Sequence, residues 1–199
     1  MRRTSSSRRA GFTVVEVMIA LTILALISVN ISMVIRTSTA AYGAGVFQSV
    51  LEDQAHQAMD RISLAIMSSS ATTTDSVPQA PLSTSSVDYS TVLGYENGHL
   101  VSSDPERIEQ LVGGGLIQWS KNPGGMNANS VVWASGVPTI LEGETPNGID
   151  DNGNGLIDES GLAFEATGSK VTIRLTLQRK DQEQKQHQKT LKTVVTCRN

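Results

Sequence analysis

Two short stretches hold the residues whose types and spacing could do chemistry. The first is RRAGFTVVEVMIALTILALI, residues 8–27. Glu16 is a carboxylate inside an apolar run, and a cut after Gly11 would place a new α-amine on Phe12, one helical turn away. An acid at the centre of a membrane helix costs about 2.5–3.5 kcal/mol, less towards an end, and such residues usually have a partner. Within one helix the amine and the acid form a pair of low value, because a cation at the N-terminus opposes the helix dipole. Between two staggered helices the same charges would meet in apolar surroundings, and their pairing would select one register of assembly.

The second stretch is NGIDDNGNGLIDE, residues 147–159. Asp150, Asn152 and Asn154 fall at alternate positions, followed by Gly155, as in a D-x-[DN]-x-[DN]-G calcium loop. Alternate side chains of a tightly wound loop can turn towards one hard cation, with the Leu156 carbonyl as the next ligand. The twelfth position, where an EF-hand has glutamate, is Gly161, so Asp158 or Glu159 would have to close the site. Calcium is the expected ion. The competing reading is a pair of Asn-Gly turns carrying solubilising acids.

Other candidates are weaker. His56, His99 and His187 are scattered, and His187 falls in the polar stretch RKDQEQKQHQK, read as a solvated loop. Gly113–Gly115 lacks the lysine and helix of a phosphate-binding loop and reads as a turn. Trp119 and Trp133 end strand-like runs, which suits core packing. No serine or cysteine nucleophile stands in a local catalytic motif, so an enzyme is not expected. The single cysteine, Cys197, excludes an intramolecular disulfide.

These residues need elements to position them. From Val17 to Ile35 there is no charged side chain, and the 24 residues from Phe12 would span roughly 36 Å as a helix. A bilayer core is roughly 30 Å thick, so one tilted crossing is expected over 12–35. A secretory signal would be shorter and would carry its small residues after the apolar run. Here Gly11 stands before it. The arginines at 2, 3, 8 and 9 would stay cytoplasmic by the positive-inside rule, with the rest of the chain outside. Losing that leader takes the net charge from −3 to −7 by removal of four arginines. An acidic body argues against nucleic acid as a partner.

Beyond the span, Phe47, Val50, Leu51, Met59, Ile62 and Ile66 recur at mainly three- and four-residue spacings, with Ala55 and Ala58 between them, predicting an amphipathic helix over 36–67. Gly43 and Gly45 lower its local helical propensity. Residues 68–86 are Ser/Thr/Pro-rich and read as a linker. Over 87–199, the runs VDYSTVLGY, GLIQW, SVVWA, LAFEA, KVTIRLTL and TLKTVVT read as strands. Val171, Ile173, Leu175 and Leu177 alternate with Thr172, Arg174 and Thr176 as a half-buried strand would. The expected class is α+β: a long helix packed on an antiparallel sheet.

The leader ending in glycine, followed by FTVVEVMIALTILALI, resembles the class III signal of type IV pilin-like proteins. The resemblance implies cleavage between Gly11 and Phe12 by prepilin peptidase and methylation of the Phe12 amine. Glu16 becomes the fifth mature residue, which in that family neutralises the terminal amine of an adjacent subunit. The chain is most similar to the minor pseudopilins of type II secretion, especially the J-type. LEDQAHQAMDRISLAI ending the stem, the β-rich body and the Arg-Asn tail all look like that type. The K-type usually lacks the glutamate.

A pilin-like fold, a place in the inner membrane with a periplasmic body, and a role in protein export follow as expectations. Other minor and major pseudopilins, an inner-membrane assembly platform and membrane lipid follow as partners. A minor pilin of a type IV pilus or DNA-uptake pseudopilus is the alternative within the family. A membrane-anchored calcium-binding module or enzyme is the alternative outside it.

Overall fold

The computed structural model describes residues 11–70, 76–96, 98–111, 113, 115–181 and 183–197. Of the leader 1–11 only Gly11 is among them, and residues 71–75 of the 68–86 stretch and the Arg-Asn tail fall outside. The fold is α+β. Among the described residues one helix, α1 (Val14–Ser68), is followed by nine strands, β1 (Ser86–Tyr89), β2 (Val92–Glu96), β3 (His99–Ser102), β4 (Glu106–Leu111), β5 (Leu116–Lys121), β6 (Asn129–Ser135), β7 (Leu162–Thr167), β8 (Lys170–Lys180) and β9 (Gln186–Thr196). The chain divides into two compact units, 1–46 and 47–199. The helix runs through Gly43 and Gly45 without a break.

In the first unit the helix side chains from Val14 to Ile35 are exposed. The segment is long and apolar enough to cross a membrane. Its polar groups are satisfied by the helix itself. Thr22 donates to the Ile19 carbonyl, and Ser28, Asn30 and Ser32 donate to the carbonyls four residues back, at 2.7–2.9 Å. In hydrocarbon no water serves these groups, so internal bonding is what makes the segment compatible with lipid.

The second unit begins with the remainder of α1, where Leu51, Ala55, Ala58, Met59, Ile62 and Ile66 are buried. This is the expected face, with two differences: Phe47 is only half-buried, and Val50 is 46% exposed, because it stands one position off the buried stripe. The antiparallel body consists of three sheets rather than one. They are four-stranded β1-β4-β5-β6, two-stranded β2-β3 and three-stranded β7-β8-β9. Phe164, Ile173, Leu175, Ile108 and Ile117 join the helix stripe in one apolar core.

The larger sheets meet through backbone and side-chain bonds. Thr84 pairs with Phe164, Gln110 accepts from Leu162 N and donates to Pro138 O, and Gln178 N donates to Gly136 O. Part of the Ser/Thr/Pro-rich stretch belongs to this body. Val77 is buried, and the Pro78 and Pro81 carbonyls accept from Ala166 N and Ile157 N.

Strand β8 is buried on both faces, not one. Thr172, Arg174 and Thr176 are each at most 8% exposed. It is the central strand of its sheet, and its polar side chains find partners: Arg174 pairs with Glu165 at 2.7 Å, and Thr176 with the Thr190 hydroxyl at 2.7 Å. The polar stretch after it is not a loop throughout. Strands β8 and β9 extend through it in register to Lys180↔Gln186.

Candidate functional site

The N-terminal candidates lie on one turn of helix. Thr13 is the cap of α1: its carbonyl accepts the first helical bond from Val17 N, at 3.2 Å. Its hydroxyl accepts from Glu16 N at 3.2 Å, while Glu16 Oε2 accepts from Thr13 N at 2.9 Å and from the Thr13 hydroxyl at 3.0 Å. This reciprocal arrangement is a capping box, which satisfies two otherwise orphaned amides. Thr13 escaped the sequence reading, although T-x-x-E ahead of an apolar run is that box's signature. Phe12 and Gly11 are exposed just before it. Glu16 is therefore held back towards the N-terminus, on the side where an amine at Phe12 would be created.

The loop candidates also converge, but not on one point. Asp150 accepts from Gly153 N and Asn154 N through Oδ1 (2.7 and 3.1 Å) and from Gly155 N through Oδ2 (2.8 Å). Asn152 Oδ1 takes Asn154 N, and Asn154 Oδ1 takes Leu156 N, both at 3.0 Å. Gly155 has a φ of +91°, the sharp turn expected of it. The Leu156 side chain is fully buried and anchors the loop.

Asp158, with a φ of +50°, turns away and clasps the Asn147 and Gly148 amides at 2.9–3.1 Å. Glu159 turns inward. It is fully buried, Oε1 receives Asn154 Nδ2 at 2.5 Å, and Oε2 has no hydrogen-bond partner. Among the described residues no three His, Cys, Asp or Glu side chains converge tightly enough to hold a metal by themselves.

Gly161, at the twelfth position, cannot carry a ligand. A Cβ there would stand 2.2 Å from the Pro138 carbonyl oxygen, so the close approach of that backbone excludes any side chain. Glu144, which no sequence pattern marked, reaches the loop from its N-terminal side. Its Oε1 accepts from Asn152 N at 3.0 Å, and its buried Oε2 has no partner.

The remaining candidates are structural. His187 lies on β9, half-buried, 2.8 Å from Asp181 Oδ2 and tilted against Phe47. Trp119 and Trp133 stack with centroids 6.1 Å apart. Trp119 Nε1 donates to Tyr89 OH and Glu106 Oε2, and burial together with Glu106 pushes the Tyr89 phenol well above its ordinary value. Gly113 and Gly115 stand in the turn between β4 and β5.

Comparison with curated proteins and with solved structures returned no match. Residues 6–29 match the family described as the prokaryotic N-terminal methylation motif. That match covers Gly11, Phe12, the capping box of Thr13 and Glu16, and the apolar segment as far as Val29. The motif implies processing by prepilin peptidase and assembly with other pilin-type subunits, and the single apolar N-terminal helix fits a membrane-anchored protein of that type. The chain thus carries, at residues 6–29, the prepilin-type methylation signal of type IV pilin-like proteins.

Proposed function

We propose that the protein is a minor pseudopilin, a structural subunit of a type II secretion pseudopilus with a place in its tip complex. The reading is of a subunit, not an enzyme. After cleavage at Gly11, the methylated Phe12 amine of one subunit meets Glu16 of its neighbour, and burial of the apolar helices holds the bundle. The observation that carries the reading is the conjunction of a methylation motif with a carboxylate one turn from the new amine, on an exposed apolar helix. The acidic body favours a protein-exporting machine over DNA uptake. The body would face the periplasm and ATP hydrolysis would belong to a cytoplasmic partner.

The capping box gives Glu16 a use inside its own helix, so a simple anchor would also gain from it. The two uses separate experimentally. Glu16→Gln keeps a side chain able to close the box but removes the charge, whereas Glu16→Ala removes both. Under the subunit reading both variants are processed normally, shown by intact mass, and both fail to enter filaments and to support export. Normal assembly by Glu16→Gln would leave only the cap.

A further inference from the structure

Two buried carboxylate oxygens without partners flank the same turn: Glu159 Oε2 and Glu144 Oε2. Glu159 is the stronger observation, because the whole residue is inaccessible to solvent. A buried carboxylate is costly unless it is paired, coordinated or neutral. Pairing has no source in the surrounding sequence. Residues 122–169 contain no lysine, arginine or histidine, while Glu142, Glu144, Asp150, Asp151, Asp158 and Glu159 crowd into 18 positions. None of those six forms an ion pair among the described residues.

Five of the loop's backbone amides are also spent. Those of residues 152–156 all donate to Glu144, Asp150, Asn152 or Asn154. What the turn has left to offer is oxygen.

We infer that Glu144 and Glu159 close a calcium site on the Asp150–Leu156 loop, with Asp158 serving as a clasp and not as a ligand. Calcium takes about six to eight oxygens in adaptable geometry, and carboxylates, side-chain amides and backbone carbonyls all qualify. Asp150, Asn152 and Asn154 retain acceptor capacity beyond the amides they already hold. The two glutamates supply the charge that Gly161 cannot. Glu144 lies outside the linear pattern, ahead of its first position, which is why motif reasoning misses it. Glu159 O also accepts Leu141 N at 2.8 Å, and Ile140 pairs with Ser160, so both ends of the 141–160 excursion are held where the acids sit.

This inference does not rest on the subunit reading, and its test does not involve filaments. The full chain, purified in detergent micelles and stripped with chelator, is titrated calorimetrically with calcium chloride and separately with magnesium chloride. One calcium per chain is expected, with magnesium binding far more weakly. Glu144→Gln and Glu159→Gln should each weaken calcium binding by roughly tenfold or more, since affinity follows the charge of the ligand set. Asp158→Asn should keep the stoichiometry. Circular dichroism without calcium checks that each variant is folded, and Glu144→Gln, at the less buried position, carries the test if Glu159→Gln is not. No heat at millimolar calcium overturns the site. Wild-type affinity in Glu144→Gln, or loss of binding in Asp158→Asn alone, overturns the ligand assignment.

Discussion

Single side chains show how local chemistry constrains larger readings. Glu16 was legible as an anomaly, but its Thr13 partner reveals that the carboxylate is already occupied before any neighbour arrives. Other polar pairs became visible only through folding, because their members are far apart in sequence or hidden in strand alternation. Arg174 and Glu165 form an ion pair with side chains 6% and 14% exposed. Glu165→Ala would strand the buried guanidinium and is expected to cost about 3 kcal/mol, read from urea unfolding.

Asp181 offers a pH test at the same scale. His187 holds its carboxyl below the ordinary 3.8, the Lys185 and Glu183 amides add to that, and desolvation opposes it. A carboxyl lowered in the folded state stabilises the fold above its unfolded value and loses that contribution as pH falls through the lowered pKa. Amides of Glu183 and Lys185, which bond Asp181 at 2.9 Å, should therefore lose hydrogen-exchange protection below 3.8, after correction for intrinsic rates. Asp181→Asn should remove that pH dependence.

Among the elements, the long helix and the strands rich in β-branched residues were legible, because their periods differ and their apolar residues keep to one face. The stripe Leu51, Ala55, Ile62, Ile66 is the clearest case. Ile62 is fully buried, and Ile62→Ala should destabilise the second unit by about 3 kcal/mol, measured by thermal unfolding. Strands β3 and β4 were not legible. HLVS is only four residues long, and ERIEQL places just one side chain, Ile108, fully in the core. Polar strands of that kind owe their conformation to the neighbours they pair with, which single-sequence propensity does not see. The same cause hid the ends of β8 and β9, where Lys180 and Gln186 pair across a short turn.

For the molecule as a whole, composition separates an apolar anchor over 12–35 from an acidic remainder, whereas the boundary between the compact units falls later, between residues 46 and 47. What composition could not reveal was how the body's described strands group into three sheets, since that depends on long-range pairing such as Val87 with Ile108. The anchor's role predicts that the full chain stays with membranes through alkaline carbonate washing. Replacing Leu24 and Ile27 by lysine should release it, because each charge at mid-span adds about 2.5–3.5 kcal/mol to insertion.

The hydroxyls and amide of the apolar segment have one further consequence. Thr22, Ser28, Asn30 and Ser32 spend their hydrogen bonds on their own backbone. The segment is therefore a smooth shaft: it can turn about its axis or slide along a neighbour without breaking a polar bond. Apart from the spare amide capacity of Asn30, the notch on which such a sliding helix can catch is Glu16 at its tip.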